Sequence, residues 1–401
     1  MKNILRLIAL IVLLAGVGSV AYFWPNIKGL FPSLKNPPED IVEIIDEQNA
    51  NPGENMTSFP LKLPEGFKIE IFAKDLPGAR AMAFDGLGNM WVSQTTLGKV
   101  TLLEMENNKV ARNIEVFKGL NNPHGLAIDP SNGTSLFIAE ENKVSQVALY
   151  SEDGLHKLVD LPSGGGHFTR TIAFGPDNKL YISIGSSCNV CDESDARRAA
   201  IYTMDKDGMN FKQFAKGLRN AVFFDWSPVD GSMWATENSR DLLGDNVPPD
   251  EINVIKEGAN YGWPICYSNN IHDTQFDKKT YIRNPCMEPF ETPAKVDLQA
   301  HSAPLGLGFI SEESWPEEYW YDLIVAYHGS WNRTEPTGYK LVRVKLDANG
   351  NYEGTEDFIT GWLTKDGALG RPVGVLVQPG TIYVSDDKAG VIYKITTNYQ
   401  M

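Results

Sequence analysis

The sequence predicts an all-β fold, a six-bladed β-propeller, preceded by an apolar export or anchor segment at the N-terminus. Two observations lead to this prediction. A strand-turn-strand phrase returns six times along the chain, and 42% of the 401 residues are hydrophobic, which is enough to bury a large core. Each phrase carries apolar residues on both faces of its hairpin. A single sheet cannot bury both faces, whereas sheets packed face to face around a ring bury all of them.

The N-terminal segment is almost entirely apolar over residues 4–24, with Lys2 and Arg6 in front. This pattern is typical of an export signal or of a single membrane anchor, and both interpretations stay open. Residues 1–24 are therefore assigned to a signal peptide or membrane anchor, with a periplasmic or other extracytoplasmic location. Residues 25–60, rich in Pro, Asn and acids, predict a flexible linker to a folded domain at 61–401.

Charge and cysteines narrow the class further. A formal net charge of -15 argues against a nucleic-acid partner, because phosphate binding needs clustered Lys and Arg. Export implies an oxidising compartment, where four cysteines form disulfides rather than metal sites. Cys266 and Cys286 are the natural second pair beside Cys188 and Cys191. The C-x-x-C at 188–191 has no following His, so covalent haem attachment is not supported.

The repeated phrase joins a small-apolar run to an aromatic-containing strand through a turn of Gly, Asp, Asn or Pro. It is clearest at residues 81–93 (AMAFDGLGNMWVS), 171–183 (TIAFGPDNKLYIS) and 373–385 (VGVLVQPGTIYVS), and further copies begin at positions 124, 222 and 305. We expect Lys68–Phe72 to complete the last blade beside Val391–Ile395 and so to close the ring. The longer spacing between the fourth and sixth copies predicts long loops on one face, which commonly carry a functional site.

Polar residues just before an inner strand point from the propeller's top into its channel. The positions concerned are His124, His167 with Arg170, Arg219 with Asn220, His301, and Arg371. The glycine-rich run at 164–170 (GGGHFTR) lets a flat ligand approach the backbone, which favours His167 as a catalytic base. For His124 and His301 a purely structural role remains an alternative.

The stretch at 237–253 is dense in carboxylate and amide oxygens. Hard cations such as Ca²⁺ take such ligands from irregular loops. The spacing matches no EF-hand, and a solvated acidic loop is the alternative interpretation.

Three motifs together resemble a known family. They are GGH followed by AFGPDNKLYISIG after residue 164, GLRN at 217–220, and PDEINVIKEGANYGWP at 249–264. These are similar to the soluble pyrroloquinoline quinone (PQQ)-dependent sugar dehydrogenases, which include glucose, sorbosone and aldose sugar dehydrogenases. The resemblance extends from about Leu63 to Ile395. The runs SSCNVC at 186–191, APLGL at 303–307 and HGSWNR at 328–333 are more similar to the sorbosone branch.

The resemblance implies a six-bladed propeller with PQQ over the channel mouth, held by Ca²⁺ and basic residues. His167 matches the base that takes a hydroxyl proton while hydride passes to the quinone, and Arg219 matches the group that polarises the accepting carbonyl. The remaining assignments are Asn220, Arg333, Arg371, His124 and His301 for cofactor binding, and Asn238 and Ser239 for backbone ligation of the metal.

One departure from the family concerns the base. The glucose-type enzymes orient the histidine with two aspartates, and this sequence has Gly166 and Ser186 at those positions. We therefore expect either that another acid, Glu193 or Asp195, orients His167 or that the base is weaker.

The resulting hypothesis is a PQQ- and Ca²⁺-dependent dehydrogenase of an aldose or related, sorbosone-like sugar, which passes electrons to an external quinone or cytochrome. A Ca²⁺-dependent lactonase propeller is one alternative. The inner strands begin with His and Arg rather than Glu and Asp, which counts against it. A propeller that binds a ligand without chemistry is the other alternative.

Overall fold

A computed structural model describes residue 6, residues 53–289 and residues 291–397 of the chain. The described residues form six sheets of four or five strands, called blades 1 to 6 in chain order, and two small two-stranded sheets. Blade 1 has strands Ala79–Phe84, Met90–Gln94, Lys99–Glu106 and Lys109–Lys118; blade 2 has Gly125–Ile128, Ser135–Glu140, Lys143–Ala148 and His156–Asp160; blade 3 has Ile172–Phe174, Leu180–Ile184, Ala200–Met204 and Lys212–Lys216. Blade 4 has Ala221–Trp226, Met233–Glu237, Asp250–Ile255 and Val296–Leu298; blade 5 has Pro304–Phe309, Leu323–Tyr327, Lys340–Leu346 and Tyr352–Ile359; blade 6 has Pro372–Gln378, Thr381–Asp386, Val391–Thr397, Phe67–Ala73 and Glu54–Asn55.

The first strand of every blade lines a central channel of about 830 Å³. Each first strand pairs antiparallel with the second, so the first strands begin and the second strands end at the same mouth of this channel. The predicted six-bladed propeller is thereby confirmed.

The hairpin turns explain why the repeated phrase folds as it does. In blade 1 the side chain of Asp85 accepts hydrogen bonds from the backbone N–H groups of Leu87 and Asn89. In blade 3 Asp177 accepts from Lys179, and Asn178 takes the left-handed conformation that Asn tolerates. These turns lie at the end of the first strand, opposite the mouth.

Closure of the ring follows the predicted pairing. Phe67–Ala73 runs antiparallel to Val391–Thr397, with Phe67 opposite Thr397. The chain is already part of this sheet before residue 61, because Glu54–Asn55 pairs in parallel with the start of Phe67–Ala73. The C-terminal end of the predicted 25–60 linker is therefore an edge strand.

The core is divided among the interfaces between blades. Six clusters of buried apolar side chains each lie between two neighbouring blades, including the interface between blades 6 and 1. Between blades 5 and 6, Phe67 packs against Trp315, Tyr319 and Phe358, with ring centroids 5.0 to 6.3 Å apart. Full burial of one such side chain contributes about 1.5–3 kcal/mol. Every blade thus depends on both neighbours for its burial.

Both disulfides, Cys188–Cys191 and Cys266–Cys286, form as expected and lie outside the blade strands. Two small hairpins, Cys266–Tyr267 with Ile271–His272 and Leu363–Thr364 with Gly367–Ala368, and two 3₁₀ turns, Thr95–Leu97 and Glu317–Tyr319, complete the described elements. Within the described part of the chain, no helix has the length and apolar character needed to cross a membrane. The predicted export or anchor segment, residues 1–24, lies outside the described residues except for Arg6.

Glycines in the inner strands, among them Gly125, Gly306 and Gly374, permit the close approach of neighbouring first strands. A Cβ atom at Gly306 would lie 2.5 Å from the backbone nitrogen of Val375 and would overlap Val373. We expect Gly306→Ala to lower the free energy of unfolding by about 1–3 kcal/mol, because a packed backbone must shift. Gly154→Ala is the matched control, since its Cβ meets no atom within 4 Å. Equal urea midpoints for the two variants would contradict this account of the ring.

Candidate functional site

A cavity of about 140 Å³ lies at the channel mouth, among residues from blades 3, 4 and 5. Six of the nine sequence-predicted site residues line it: His167, Arg219, Asn220, Asn238, Ser239 and His301. The cavity also has wall residues that were not assigned to the site from the sequence: Asp241, Asp250, Ala303, Trp331 and Asn332.

His167 is held as a neutral base with a defined tautomer. Its Nδ1 lies 3.0 Å from the backbone carbonyl oxygen of Ser186 and 2.9 Å from the Ser186 hydroxyl. The hydroxyl already donates its proton to the carbonyl of Cys188, at 2.7 Å. A carbonyl can only accept, so Nδ1 carries the proton and Nε2 keeps its lone pair. No described residue donates to Nε2.

The surroundings of His167 disfavour its charged form. Burial, followed by the positive charge of Arg219, lowers the pKa of His167 to about 3. The imidazole is therefore neutral at ordinary pH, which is the protonation state a general base requires.

The expectation that an acid orients His167 is wrong. Glu193 instead accepts hydrogen bonds from the backbone and hydroxyl of Ser187, at 2.5 and 2.8 Å. Asp195 pairs with Arg197 at 2.7 Å. The serine at position 186 brings the backbone carbonyl and hydroxyl to Nδ1, so a neutral acceptor replaces the aspartate. A carboxylate at that position would raise the pKa of the histidine, and this site lacks that effect.

Arg219 is buried and fully engaged on one side. Its Nε and Nη2 donate to the backbone and side-chain oxygens of Asn189, its Nη1 to the carbonyl of Asn238, and Nη2 also to Asp241 at 3.2 Å. Burial lowers the pKa of Arg219, and the charge of Asp241 opposes that effect. The guanidinium is thus fixed as a cation on the wall of the cavity.

Asp241 links three side chains of the cavity wall. Besides Arg219, it accepts from Asn332 Nδ2 at 2.8 Å and faces Nδ1 of His301 at 3.6 Å. The other ring nitrogen of His301 lies 2.8 Å from the carbonyl of Gly244, which can only accept. Burial alone would lower the pKa of His301, but the bonds to Asp241 and Gly244 outweigh it and raise the pKa. Asp241 and Gly244 therefore favour the protonated form of His301, in which both ring nitrogens are donors.

Two amide oxygens of the wall are buried without a hydrogen-bond partner among the described residues, Asn238 Oδ1 and Asn332 Oδ1. The orientation of the Asn332 amide is fixed, because its nitrogen donates to a carboxylate that has no proton to give. The backbone carbonyl of Asn238, predicted as a metal ligand, accepts from Arg219. The amide N–H of its neighbour Ser239 donates to Asp250 at 3.0 Å.

A second cavity, about 20 Å³ in volume, lies behind Arg219 and has room for one water or ion. Two buried carboxylates, Glu237 and Glu251, line it together with Ser239. Burial raises the pKa of Glu251 to about 7, and burial together with Glu251 raises that of Glu237. Glu237 Oε2 has no hydrogen-bond partner among the described residues. Arg219, Arg240 and Asp273 complete the charged lining of this cavity.

Three sequence-predicted residues lie outside the main cavity. His124 is completely buried, with Nδ1 3.3 Å from the Thr171 hydroxyl and its ring 5.1 Å from Phe223, which fits the structural alternative for this histidine. Burial lowers its pKa well below the ordinary value. Arg333 donates to the carbonyl of Ala300 and to Asn246, so it ties loops together at the rim.

Arg371 belongs to a second charged cluster at the mouth, which the sequence reasoning missed. The cluster, called the blade 6 cluster, comprises Arg80, His328, Arg371 and Asp387. Arg80 and His328 contact Asp387 at 2.8 and 3.0 Å, and Arg371 donates to the carbonyl of His328. Arg80 stands in the first strand of blade 1, near its mouth end, a position that could have drawn attention to it. Two arginines beside one aspartate leave a net positive charge at this side of the mouth.

The sequence profile of the TrAA12-like family matches residues 61–398. The chain belongs to this family. The resemblance to PQQ-dependent sugar dehydrogenases is thereby confirmed at the level of the family, and the finer assignment to the sorbosone branch stays a prediction.

Individual relatives of this TrAA12-like protein are distant. An uncharacterised protein of Borreliella burgdorferi is 31% identical over 85% of this chain and 92% of its own length. A PQQ-dependent pyranose dehydrogenase of Coprinopsis cinerea is 24% identical over 86% of this chain, which spans only 56% of that relative. The calcium structure of a Trichoderma reesei AA12 enzyme shares the fold, with a TM-score of 0.72 and 22% identity over 84% of this chain and 98% of that one.

The pairing of Asp241 with His301 predicts a pH-dependent stability. A histidine whose folded pKa is raised stabilises the fold fully below its unfolded pKa of about 6.5, and this contribution is lost as pH rises through the folded pKa. We expect Asp241→Asn to lower the free energy of unfolding by about 1–3 kcal/mol at pH 6, and by less at pH 9. Urea unfolding at both pH values measures this. Asp153→Asn, on an exposed loop, is the control, and an equal loss at both pH values for Asp241→Asn would refute the pairing.

Proposed function

We propose that this protein oxidises a sugar, a pyranose or related aldose, in a reaction that depends on PQQ and Ca²⁺. The observation that carries the proposal is the placement of His167: its Nδ1 is bound to a carbonyl, and its free Nε2 shares one cavity with the buried cation of Arg219. A general base beside a fixed positive charge is the arrangement that hydroxyl oxidation requires. Family membership supports the same chemistry, because the Coprinopsis relative is a PQQ-dependent pyranose dehydrogenase.

The residues of the mouth fit an acidic quinone cofactor. PQQ carries carboxylate and carbonyl oxygens, which need donors, and Arg219 supplies a buried cationic donor within an acidic protein. The net positive charge of the blade 6 cluster adds a second place for a carboxylate, through Arg371 in the role predicted from the sequence. When bound, the cofactor supplies the two-electron acceptor of the reaction.

The chain's own groups then divide the work. Nε2 of His167 takes the proton of the substrate hydroxyl, and the Ser186 carbonyl holds the imidazolium that forms. Arg219 would stabilise negative charge on a bound acceptor without reorganisation, because Asn189 and Asn238 already hold its guanidinium. Burial of both groups strengthens these electrostatic interactions.

The unsatisfied amide oxygens favour a polyhydroxylated substrate. Asn238 Oδ1 and Asn332 Oδ1 are acceptors without donors, and sugar hydroxyl groups would satisfy them. Trp331 lines the same cavity and is 49% exposed, so its ring offers an apolar face at the rim. A sugar presents both hydroxyl groups and a C–H face, which matches this combination.

Calcium is assigned to the cavity behind Arg219. Hard cations prefer carboxylate oxygens, and Glu237 with Glu251 supply them. A divalent cation would also remove the cost of two buried carboxylates side by side. The electron acceptor is external, a quinone or a cytochrome, and the location is extracytoplasmic, as the N-terminal sequence predicts.

Replacement of His167 tests the proposed base. We expect His167→Asn to lower kcat/KM by about 10²- to 10⁴-fold, the usual contribution of a general base. The assay loads the protein with PQQ and Ca²⁺ and follows dye reduction over a panel of pyranoses. For the wild type, kcat/KM should not fall through protonation of His167 between pH 8 and pH 5, because its pKa lies near 3.

His156→Asn, on the exposed fourth strand of blade 2, is the control for that experiment. Binding of PQQ, followed separately by its absorbance, distinguishes two failures. Binding without any sugar oxidation would support a ligand-binding propeller, and no binding would reject the proposed function altogether.

Calcium binding is testable without activity. In chelator-treated protein, Ca²⁺ at 100 times its dissociation constant should raise the free energy of unfolding by about 2.7 kcal/mol. Glu251→Gln should abolish this increase, whereas Glu152→Gln, on an exposed loop, should retain it. The affinity should weaken from pH 8 to pH 6, because the raised pKa of Glu251, about 7, means that a proton must leave before the metal binds. An unchanged response in Glu251→Gln would exclude this cavity.

A further inference from the structure

We infer that the Cys188–Cys191 loop positions the two groups assigned to catalysis, with Asn189 as the positioning residue of Arg219, and that this arrangement depends on the disulfide. The catalytic role of this loop rests on the proposed function. The geometry of the loop is present without a cofactor and can be tested in the apo-protein.

Asn189 holds the guanidinium of Arg219 from two directions. Its backbone carbonyl accepts from Arg219 Nε at 2.9 Å, and its side-chain Oδ1 accepts from Arg219 Nη2 at 3.0 Å. The same Oδ1 accepts from the backbone N–H of Asp241 at 2.8 Å, and Nδ2 donates to the Asp241 carbonyl at 3.1 Å. Asn189 therefore fixes both members of the Arg219–Asp241 ion pair.

The same loop also reaches His167. The hydroxyl of Ser186, which contacts Nδ1 of His167, donates to the carbonyl of Cys188 at 2.7 Å. Ser187, which follows Ser186, accepts a hydrogen bond at its backbone carbonyl from the N–H of Gly166, next to His167, at 2.6 Å. A shift of this loop would therefore move the base and the cation together.

The disulfide holds this loop in the absence of regular structure. Residues 185–199 form neither strand nor helix. The bond joins cysteines separated by only 3 positions, compared with 20 for Cys266–Cys286. Because chain entropy grows with the length of the closed loop, the shorter bond contributes less to global stability. Its main effect is the local geometry of Asn189.

The two disulfides also differ in access. Cys188 and Cys191 are half-buried, whereas Cys266 and Cys286 are buried. A dithiol reductant reaches the half-buried Cys188–Cys191 bond first. Two electrons and two protons convert this disulfide into two thiols, and the dithiol becomes a disulfide. The buried bond then serves as an internal reference within the same molecule.

Hydrogen exchange at Arg219 tests the inference. The apo-protein is labelled with ¹⁵N-arginine, and the Arg219 Nε–H signal is identified by its loss in Arg219→Lys. Dithiothreitol is added until mass spectrometry shows Cys188–Cys191 open and Cys266–Cys286 closed. We expect the exchange rate of Arg219 Nε–H to rise at least tenfold, and likewise in the Cys188→Ser/Cys191→Ser variant.

Side-chain variants separate the role of Asn189 from that of the bond. Asn189→Ala should raise the exchange rate at least tenfold, and Asn189→Asp, which keeps the Oδ1 acceptor, should stay within threefold of the wild type. Asn113→Ala is the control, since its side chain donates only to the Lys74 carbonyl on an exposed surface. The exchange rate of Arg219 Nε–H in Asn113→Ala should equal that in the wild type.

Two outcomes would overturn the inference. One is unchanged exchange at Arg219 in the reduced protein and in Asn189→Ala. The other is an equal rise at Arg343, which is buried against Asp322 in blade 5, because that would report general loosening of the fold. Neither readout needs PQQ or sugar. Faster exchange at Arg219 in a protein that never binds PQQ would reject the proposed function and leave this inference standing.

Discussion

Closure of the ring is the constraint on which the rest of the structure depends. Each blade buries its faces against two neighbours, so the pairing of Phe67–Ala73 with Val391–Thr397 completes a core that no subset of blades can complete. Closure also creates the site. The first strands begin and the second strands end at one mouth, and residues distant in sequence, such as His167 and His301, line one cavity there. The residues of the mouth are thus brought together by apolar packing between the blades.

The sequence predicted the fold because its signal is repeated and local. Period-two strands and Asp or Gly turns recur in six copies, and each copy constrains the next. Residues before the first strands could be found in the same way, which is why His167, Arg219 and His301 were identified. The rule was incomplete, because residues after the second strands reach the same mouth. Ser186, His328 and Asp387 all stand there, and no repeated pattern marks them.

Contacts that depend on three-dimensional approach lay beyond the sequence. The orienting group of His167 is a backbone carbonyl, and every residue has one, so residue type carries no information about it. A search for an acid therefore led to Glu193 and Asp195, which serve the local loop. The partners of Asn189 are 30 and 52 positions away, and only the packing of blade 3 against blade 4 joins them. His124 shows the converse, since a mouth position did not prevent complete burial.

The electrostatics of the mouth are determined by a few charged groups that are buried with little access to water. Asp241 faces both Arg219 and His301, so it favours the charged form of each. Burial, followed by the positive charge of Arg219, lowers the pKa of His167 and keeps the imidazole free of a proton. An imidazole with such a low pKa is a weak base, but it is unprotonated at ordinary pH. In the proposed reaction, Nε2 of His167 would take the substrate's hydroxyl proton while Arg219 stabilises the negative charge that develops beside it. In the proposed reaction the low pKa of His167 and the burial of Arg219 therefore act together, and neither would be sufficient alone.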